Sequence, residues 1–364
     1  MISLRKLSSF IGPRIKHRAG LIAMLPVMLL AGCKTVVMNP SGDVAAQQAD
    51  LILVSTALML LIIVPVIFLT LFFAWKYRQS NTAAEYDPEW DHSTKLELVI
   101  WGAPLLIIIV LGLVTWVSTH KLDPYRPLER IDASRPLAAD HKPLEIQVVA
   151  MDWKWLFIYP EQGIATVNEL VTPVDRPVRF KITASTVMNS FFIPALAGQI
   201  YAMPSMETTL NAVINKPGEY EGFSANYSGA GFSHMRFKYY GMNEGDFEQW
   251  VDNTRKASKT LDRVVYTELE KPSIKEPVQK FGNVSKDLFH AIVNRCVAEG
   301  TVCMDAQMMA DSLRNGTSLK AEELAILINN AMCTVTPNGV NASNKALPII
   351  QSSKNDDHDD SLSN

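Results

Sequence analysis

Metal-binding side chains are scarce in the part of the chain that is richest in short β-like segments. Residues 142–240 contain no cysteine and one histidine, His234, which is followed by Met235. Copper and other soft metals need thiolate and imidazole ligands in one cluster. One His beside one Met is more typical of a surface imidazole and a packed thioether, so the pattern does not favour a metal site here. The sequence also lacks a GxSxG elbow, an HExxH pair and a phosphate-cradling Gly loop, which leaves hydrolase and nucleotide-binding functions without support.

The first cysteine has the surroundings of a lipid attachment site. A Leu-Ala-Gly-Cys run ends at Cys33 and looks like a bacterial lipobox, in which the Cys receives a lipid (palmitate among its acyl groups) and becomes the new N-terminus. Residues 1–32 before it read as a signal peptide, with five basic residues, no acidic residue and a short apolar stretch over 21–30. The alternative to lipid attachment is that Cys33 is a buried residue that follows an ordinary signal peptide by chance.

The other three cysteines lie late in the chain. In an oxidising compartment, the close spacing of Cys296 and Cys303 favours a disulfide between them, which leaves Cys333 without a partner. A metal site built from all three is the weaker alternative, because only His290 is near enough in sequence to join them.

Composition places much of the chain in a membrane. Of the 364 residues 20% are charged, against about 25% in soluble domains. The deficit falls in two uncharged runs, 51–75 and 98–118, each long enough to cross a bilayer as a helix. A purely cytosolic protein is therefore excluded, and the formal net charge of −3 gives no reason to expect a nucleic-acid partner.

The lipobox sets the expected orientation of these helices. Cys33 must lie outside the cytoplasmic membrane, so the first span runs inward and the second outward. Residues 33–120 would then be the lipid anchor and a transmembrane hairpin, with a cytoplasmic loop over 76–97. Everything after residue 119 would be periplasmic.

The exported part begins with short, alternating strands. Residues 144–149 and 178–183 alternate apolar and polar side chains, 153–159 is rich in aromatic residues, and 208–214 is a further run. Strands at this spacing predict an antiparallel β-sandwich over 121–240. Residues 241–290 predict an aromatic-rich helical extension, and 291–364 a C-terminal segment with a disordered acidic tail over 351–364.

Three motifs give the chain a family resemblance. They are the Asp-Trp-Lys-Trp run 152–155, the Val-Met-Asn-Ser-Phe-Phe-Ile-Pro run 187–194 and the Gly-Phe-Ser-Ala-Asn-Tyr-Ser-Gly run 222–229. With the lipobox and the hairpin, they resemble subunit II of haem-copper terminal oxidases, most of all the bacterial cytochrome bo-type ubiquinol oxidase branch. The resemblance covers about residues 20–295 and implies an α+β membrane protein, a cupredoxin-like sandwich on a two-helix hairpin.

The resemblance also locates a copper site that the sequence has lost. In relatives that oxidise cytochrome c, this fold holds a two-copper centre that receives electrons. The corresponding positions here are Asn189 and Phe232 for the two His, Ser224 and Ser228 for the bridging Cys, Asn226 for the Glu and Met235 for the Met. Five of six ligands are replaced, so we expect no copper in this chain, as in the quinol-oxidising branch. Without copper, Trp153 and Trp155 are expected to pack in the core or an interface.

One carboxylate has two competing interpretations. Glu97 stands at the cytoplasmic end of the second span. A charged residue there is often an interfacial anchor. The resemblance implies instead that a subunit II carboxylate near this position stands at the entrance of a proton pathway in the large subunit.

The sequence thus predicts a subunit without catalytic residues of its own, in a proton-pumping ubiquinol oxidase of the bacterial inner membrane. The family implies that haems and copper are bound by a partner large subunit and that this chain holds no cofactor. Two alternatives stay open: an electron-accepting subunit II with an intact copper centre, and a free-standing structural or assembly lipoprotein with a cupredoxin-like module.

Overall fold

The computed structural model describes residues 35–85, 87–138 and 141–314. Contacts divide the chain into a compact unit that ends at Val293 and a second unit that begins at Asn294. The predicted lipid attachment at Cys33, the unpaired Cys333 and the acidic tail over 351–364 lie outside the described residues.

Two long helices contain the predicted membrane spans. Helix α1 is Asp43–Lys76 and helix α2 is Thr94–Lys121. The runs 51–75 and 98–118 lie wholly within them, and both helices are long and apolar enough to cross a membrane. Most of their large apolar side chains are exposed in the isolated chain, as expected for surfaces that face lipid or other membrane helices.

Helix α1 starts earlier than the uncharged run because its first turns pack on the β domain. Val44 and Ala45 are buried there. Just before the helix, Gly42 forms a β-bridge with Ile214. A Cβ atom on Gly42 would lie 2.6 Å from the Val213 carbonyl oxygen, so only glycine permits this approach.

A buried charge at this junction is neutralised locally. Asp43 is 6% exposed. Its Oδ2 accepts hydrogen bonds from Arg130 Nε at 2.9 Å and from Gln47 Nε2 at 2.8 Å. Pairing of this kind is what allows a carboxylate to be buried.

The described residues form fifteen strands. In chain order they are β1 (Arg130–Asp132), β2 (Arg135–Pro136), β3 (Leu144–Met151), β4 (Lys154–Tyr159), β5 (Ile164–Val167), β6 (Glu169–Pro173), β7 (Val178–Ala184), β8 (Asn189–Phe192), β9 (Ile200–Ala202), β10 (Thr208–Ala212), β11 (Gly218–Ser224), β12 (Arg236–Met242), β13 (Thr260–Leu261), β14 (Gln279–Phe281) and β15 (Asn283–Val284). The remaining helices are α3 (Glu244–Arg255), α4 (Arg263–Glu270), α5 (Leu288–Val293) and α6 (Met304–Arg314).

Two packed sheets confirm the predicted sandwich. One has the strand order β10-β7-β3-β4-β5-β14 and the other β6-β12-β11-β8-β9. The predicted antiparallel pairing does not extend to every strand, however, because β3 pairs with β7 and β6 with β12 in parallel. Parallel neighbours need a crossover connection, because the chain must leave the sheet and return in the same direction. The alternation of apolar and polar residues along one strand does not reveal such a connection.

The C-terminal extension completes the sandwich instead of following it. Strand β14 adds to the edge of β5, so the first sheet does not end at residue 240. Helices α3 and α4 confirm the predicted helical character of the extension. This cover explains why every residue of β4 is buried, although one face of a two-sheet sandwich normally meets solvent.

The second unit contains the expected disulfide. Cys296 and Cys303 are bonded, with their Cα atoms 4.7 Å apart. The bond closes the short segment that precedes helix α6.

Candidate functional site

The six positions that correspond to copper ligands lie at one end of the second sheet. We name Asn189, Ser224, Asn226, Ser228, Phe232 and Met235 the ligand-position cluster. Asn189 begins β8 and Ser224 ends β11, and these two strands are antiparallel neighbours. The connection from β11 to β12 carries the other four positions. The fold therefore brings all six positions to one end of this sheet.

Hydrogen bonds within the polypeptide occupy the polar members of the cluster. Ser224 Oγ lies 3.1 Å from both Asn189 Oδ1 and the Asn226 carbonyl oxygen. Asn189 Nδ2 donates to the Val187 carbonyl and Asn226 Nδ2 to the Met188 carbonyl, each at 3.1 Å. Since Asn189 and Ser224 are almost fully buried, this mutual pairing avoids the cost of unpaired polar groups.

The remaining members are held by weak or aromatic contacts. Ser228 Oγ lies 4.0 Å from Met235 Sδ, and Met235 is fully buried. The Phe232 ring meets Tyr227 edge-on, with ring centroids 5.5 Å apart. His234 is exposed, so the one imidazole of this region does not join the buried thioether next to it in sequence.

Trp153 braces the loop that carries Ser228. Its backbone is left-handed, with φ of 66°, and its indole Nε1 donates to the Ser228 carbonyl at 3.0 Å. A Cβ atom on Gly231 would lie 2.3 Å from the Trp153 ring. Glycine at 231 therefore makes room for the indole, which acts here as a packing residue, as expected.

Trp155, two residues later, packs in the core of the sandwich. It is fully buried. Its ring centroid lies 5.4 Å from that of Phe191 and 5.7 Å from that of Phe237, both in edge-on geometry. The two tryptophans of the motif therefore differ in role: Trp153 supports the loop and Trp155 fills the sandwich.

Lys154, between them, fastens the extension to the sandwich. Its side chain is 1% exposed. Its Nζ donates to the Lys271 carbonyl at 2.7 Å and to Ser273 Oγ at 2.6 Å. Burial lowers the pKa of Lys154, which the nearby carboxylates of Glu276 and Asp152 partly oppose. Sequence reasoning missed this contact because a Lys within an aromatic run looks like an ordinary surface residue.

The donor set of the cluster does not fit copper. It offers two hydroxyls, two amides, one phenyl ring and one thioether, and a copper–thiolate centre needs sulfur anions and imidazoles. Over residues 35–85, 87–138 and 141–314, no three His, Cys, Asp or Glu side chains group closely enough to hold a metal ion. We therefore derive no electron-transfer step through this site.

Glu97 has a partner that the sequence analysis did not identify. It lies in the first turn of α2, and its Oε1 is 2.7 Å from His92 Nδ1. The other ring nitrogen of His92 lies 3.1 Å from Thr94 Oγ1. Both side chains are about half exposed or more, at 48% for Glu97 and 63% for His92. The signal available in the sequence was a His in the turn immediately before the helix.

Two family profiles match the exported part of the chain. The family described as "Cytochrome C oxidase subunit II, periplasmic domain" matches residues 160–239. The family described as "COX Aromatic Rich Motif" matches residues 255–300. The first range covers most of the sandwich, and the second runs from the end of α3 through α4 and α5 into the start of the second unit.

Full-length relatives match over most of the chain. Cytochrome bo(3) ubiquinol oxidase subunit 2 of Pseudomonas putida is 52% identical over 76% of this chain and 85% of its own length. The protein of the same name from Pseudomonas aeruginosa is 50% identical over 75% of this chain and 80% of its own. The chain belongs to the ubiquinol oxidase subunit 2 family.

A third member of the ubiquinol oxidase subunit 2 family shows the same extent of similarity. Ubiquinol oxidase subunit 2 of Acetobacter aceti is 49% identical over 77% of this chain and 88% of its own length. Family membership agrees with the two apolar helices, the sandwich and the extension, and it confirms the resemblance read from the three motifs.

Proposed function

We propose that the chain is subunit II of a ubiquinol oxidase that oxidises ubiquinol, reduces oxygen to water and pumps protons. In this proposal the chain supports the complex structurally and assists proton uptake, and it does not accept electrons. The observation that carries the second point is the ligand-position cluster, in which Ser224 bonds to Asn189 and the two amides donate to backbone carbonyls instead of facing a metal. Ubiquinol lies within the membrane and needs no electron acceptor in an exported domain.

The proposal assigns the redox cofactors to a partner. Haems and copper would be bound by the large subunit, and no residue of this chain would contact oxygen. The hairpin α1–α2 would lie in the inner membrane beside that subunit, with the sandwich in the periplasm. Cys33 would carry a lipid, and mass spectrometry of the mature N-terminal peptide tests this: an unmodified Cys33 would contradict the assignment.

A co-purification experiment tests the complex as a whole. We expect a tagged chain, purified from membranes in mild detergent, to carry haem bands in the dithionite-reduced minus oxidised spectrum, at a constant ratio to the chain. A colourless preparation from membranes that contain the intact oxidase would overturn the proposal and favour the free-standing lipoprotein.

Replacing Glu97 by glutamine tests the proton-uptake role. Glutamine keeps the size and hydrogen bonding of the side chain but cannot bind and release a proton. Because water still reaches a side chain at the membrane surface, we expect a loss of about twofold to tenfold in oxidase turnover and pumping, below the full effect of removing a general acid–base group. The measurement is oxygen consumption and proton release by the complex in vesicles.

Glu89→Gln is the matched control for this substitution. Glu89 is an exposed carboxylate in the same loop, and the structure gives its side chain no contact with Glu97. Unchanged turnover and pumping in the Glu97 variant would reject the proton role and leave the interfacial-anchor interpretation.

A further inference from the structure

Two cavities meet where the helical hairpin joins the sandwich. The upper cavity has a volume of about 290 Å³ and lies between the start of α1, the segment after α2 and the sandwich. The lower one, about 430 Å³, lies between the outer ends of α1 and α2, against Leu51 and Thr115. Gln48, Leu122, Asp123 and Pro124 line both cavities, so the two adjoin, and we name them together the groove. From this geometry we propose that the groove binds one zwitterionic phospholipid with a primary amine in its headgroup.

The shape of the groove suits a lipid at the outer surface of the membrane. The lower part lies beside the last turns of both apolar spans, where an acyl chain would run along the hairpin. The upper part lies above them, at the level of the polar headgroups. This placement rests on the proposed membrane topology and not on the oxidase activity.

Charge pairing inside the upper cavity leaves one cation and one anion for a ligand. Three carboxylates and three cations line it. Asp43 pairs with Arg130, and Glu129 with Arg126. Lys121 has no ion-pair partner within the part of the chain that the structure describes. Asp123 is the remaining carboxylate of the six charged groups, so it is the anion left for a ligand.

The two remaining charges match the two charges of the headgroup. Lys121 is the last residue of α2 and would bind the phosphate, as lysines at helix ends commonly extend to the headgroup level. Asp123 uses one carboxylate oxygen to accept from the Tyr125 backbone N–H at 2.9 Å, and its other oxygen would accept from the ammonium group. An anionic headgroup without an amine would leave Asp123 facing a negative charge.

An amide stands at the junction of the two cavities. Gln48 lines both, and it has no hydrogen-bond partner among the residues described. Gly198 lies against it: a Cβ atom there would be 2.7 Å from Gln48 Nε2. Because that neighbour is the end of a flexible side chain, a larger residue at 198 would push Gln48 into the groove and fill it without disturbing the backbone. The amide is placed to donate to an ester or phosphate oxygen.

Native mass spectrometry of the whole purified complex tests the proposal. After delipidation, the complex is titrated with dioleoyl-phosphatidylethanolamine or with dioleoyl-phosphatidylglycerol. We expect one saturable phosphatidylethanolamine adduct that Gly198→Leu abolishes. Lys121→Gln should bind it about tenfold more weakly, the loss of one charge-assisted hydrogen bond. Asp123→Asn should lose the preference for the amine headgroup.

Two matched controls separate this site from general effects. Lys76→Gln is the control for Lys121→Gln, because Lys76 ends α1 as Lys121 ends α2. Lys76 does not line the groove and lies instead over the rings of Phe72 and Tyr77. Gly245→Leu introduces the same side chain on α3, where a Cβ atom meets nothing within 4 Å. Both should bind like the parent chain.

Three results would overturn the proposal. One is equal binding by all variants, and another is phosphatidylglycerol binding as tight as phosphatidylethanolamine binding. The third is loss of another subunit from the Gly198→Leu complex, which would show that a protein partner fills the groove. The first two results can be recorded whether or not the purified chain carries haem, so failure of this proposal is distinct from failure of the oxidase assignment.

Discussion

Restoring the lost ligands is expected to convert the ligand-position cluster into a copper site. The variant combines Asn189→His, Ser224→Cys, Asn226→Glu, Ser228→Cys and Phe232→His. The fold already holds these positions together: Ser224 lies 3.1 Å from Asn189, and Ser228 lies 4.0 Å from Met235, the ligand that is retained. Thiolates and imidazoles supply the soft donors that hydroxyls and amides lack. We expect tight copper binding by this variant and none by the parent chain.

Metal content and absorption spectra provide the measurement. The five-residue variant, with its thiols reduced and the reductant removed before copper(II) is added, should show visible thiolate-to-copper(II) charge transfer and retain copper through desalting. A control with only Ser224→Cys and Ser228→Cys lacks both imidazoles and should bind copper much more weakly. A folded five-residue variant that stays copper-free would show that the present hydrogen bonds have changed the loop, or that the residue correspondence is wrong.

The sequence was a good guide to elements whose signal lies within one segment. Uncharged runs located both spans, and alternation located β3 and β7 within two residues of their ends. The residues of the ligand-position cluster could also be identified locally, because a motif of fixed spacing carries most of them. Each of these features is determined by residues that are close together in sequence, so charge, alternation or spacing within one segment is enough to predict it.

Features that depend on distant segments were not readable. Helix α1 extends back to Asp43 because Arg130, 87 residues later, neutralises its buried charge. Lys154 can be buried because the backbone carbonyl of Lys271, 117 residues away, accepts a hydrogen bond from its Nζ. The parallel pairing of β3 with β7 is likewise a property of the topology. The His92–Glu97 pair is local, but His92 precedes the helix and lies outside the uncharged run, so the hydropathy pattern that marks the span does not include it.

Replacing Trp155 by alanine is expected to lower the free energy of unfolding of the sandwich by about 3–5 kcal/mol. Trp155 is fully buried and packs edge-on between Phe191 and Phe237. Removing the indole leaves a cavity between the sheets that these rings cannot fill without leaving their own contacts. For a domain of this size, the loss corresponds to a fall in Tm of roughly 6–20 °C.

Thermal unfolding in detergent, followed by circular dichroism of the β signal, checks this expectation. Trp90→Ala is the matched control, because Trp90 is 62% exposed in the loop between α1 and α2 and its removal opens no internal cavity. A shift below about 3 °C for Trp155→Ala would mean that the sheets close over the missing indole. A shift in the expected range would show that the indole is a main support of the packing between the two sheets.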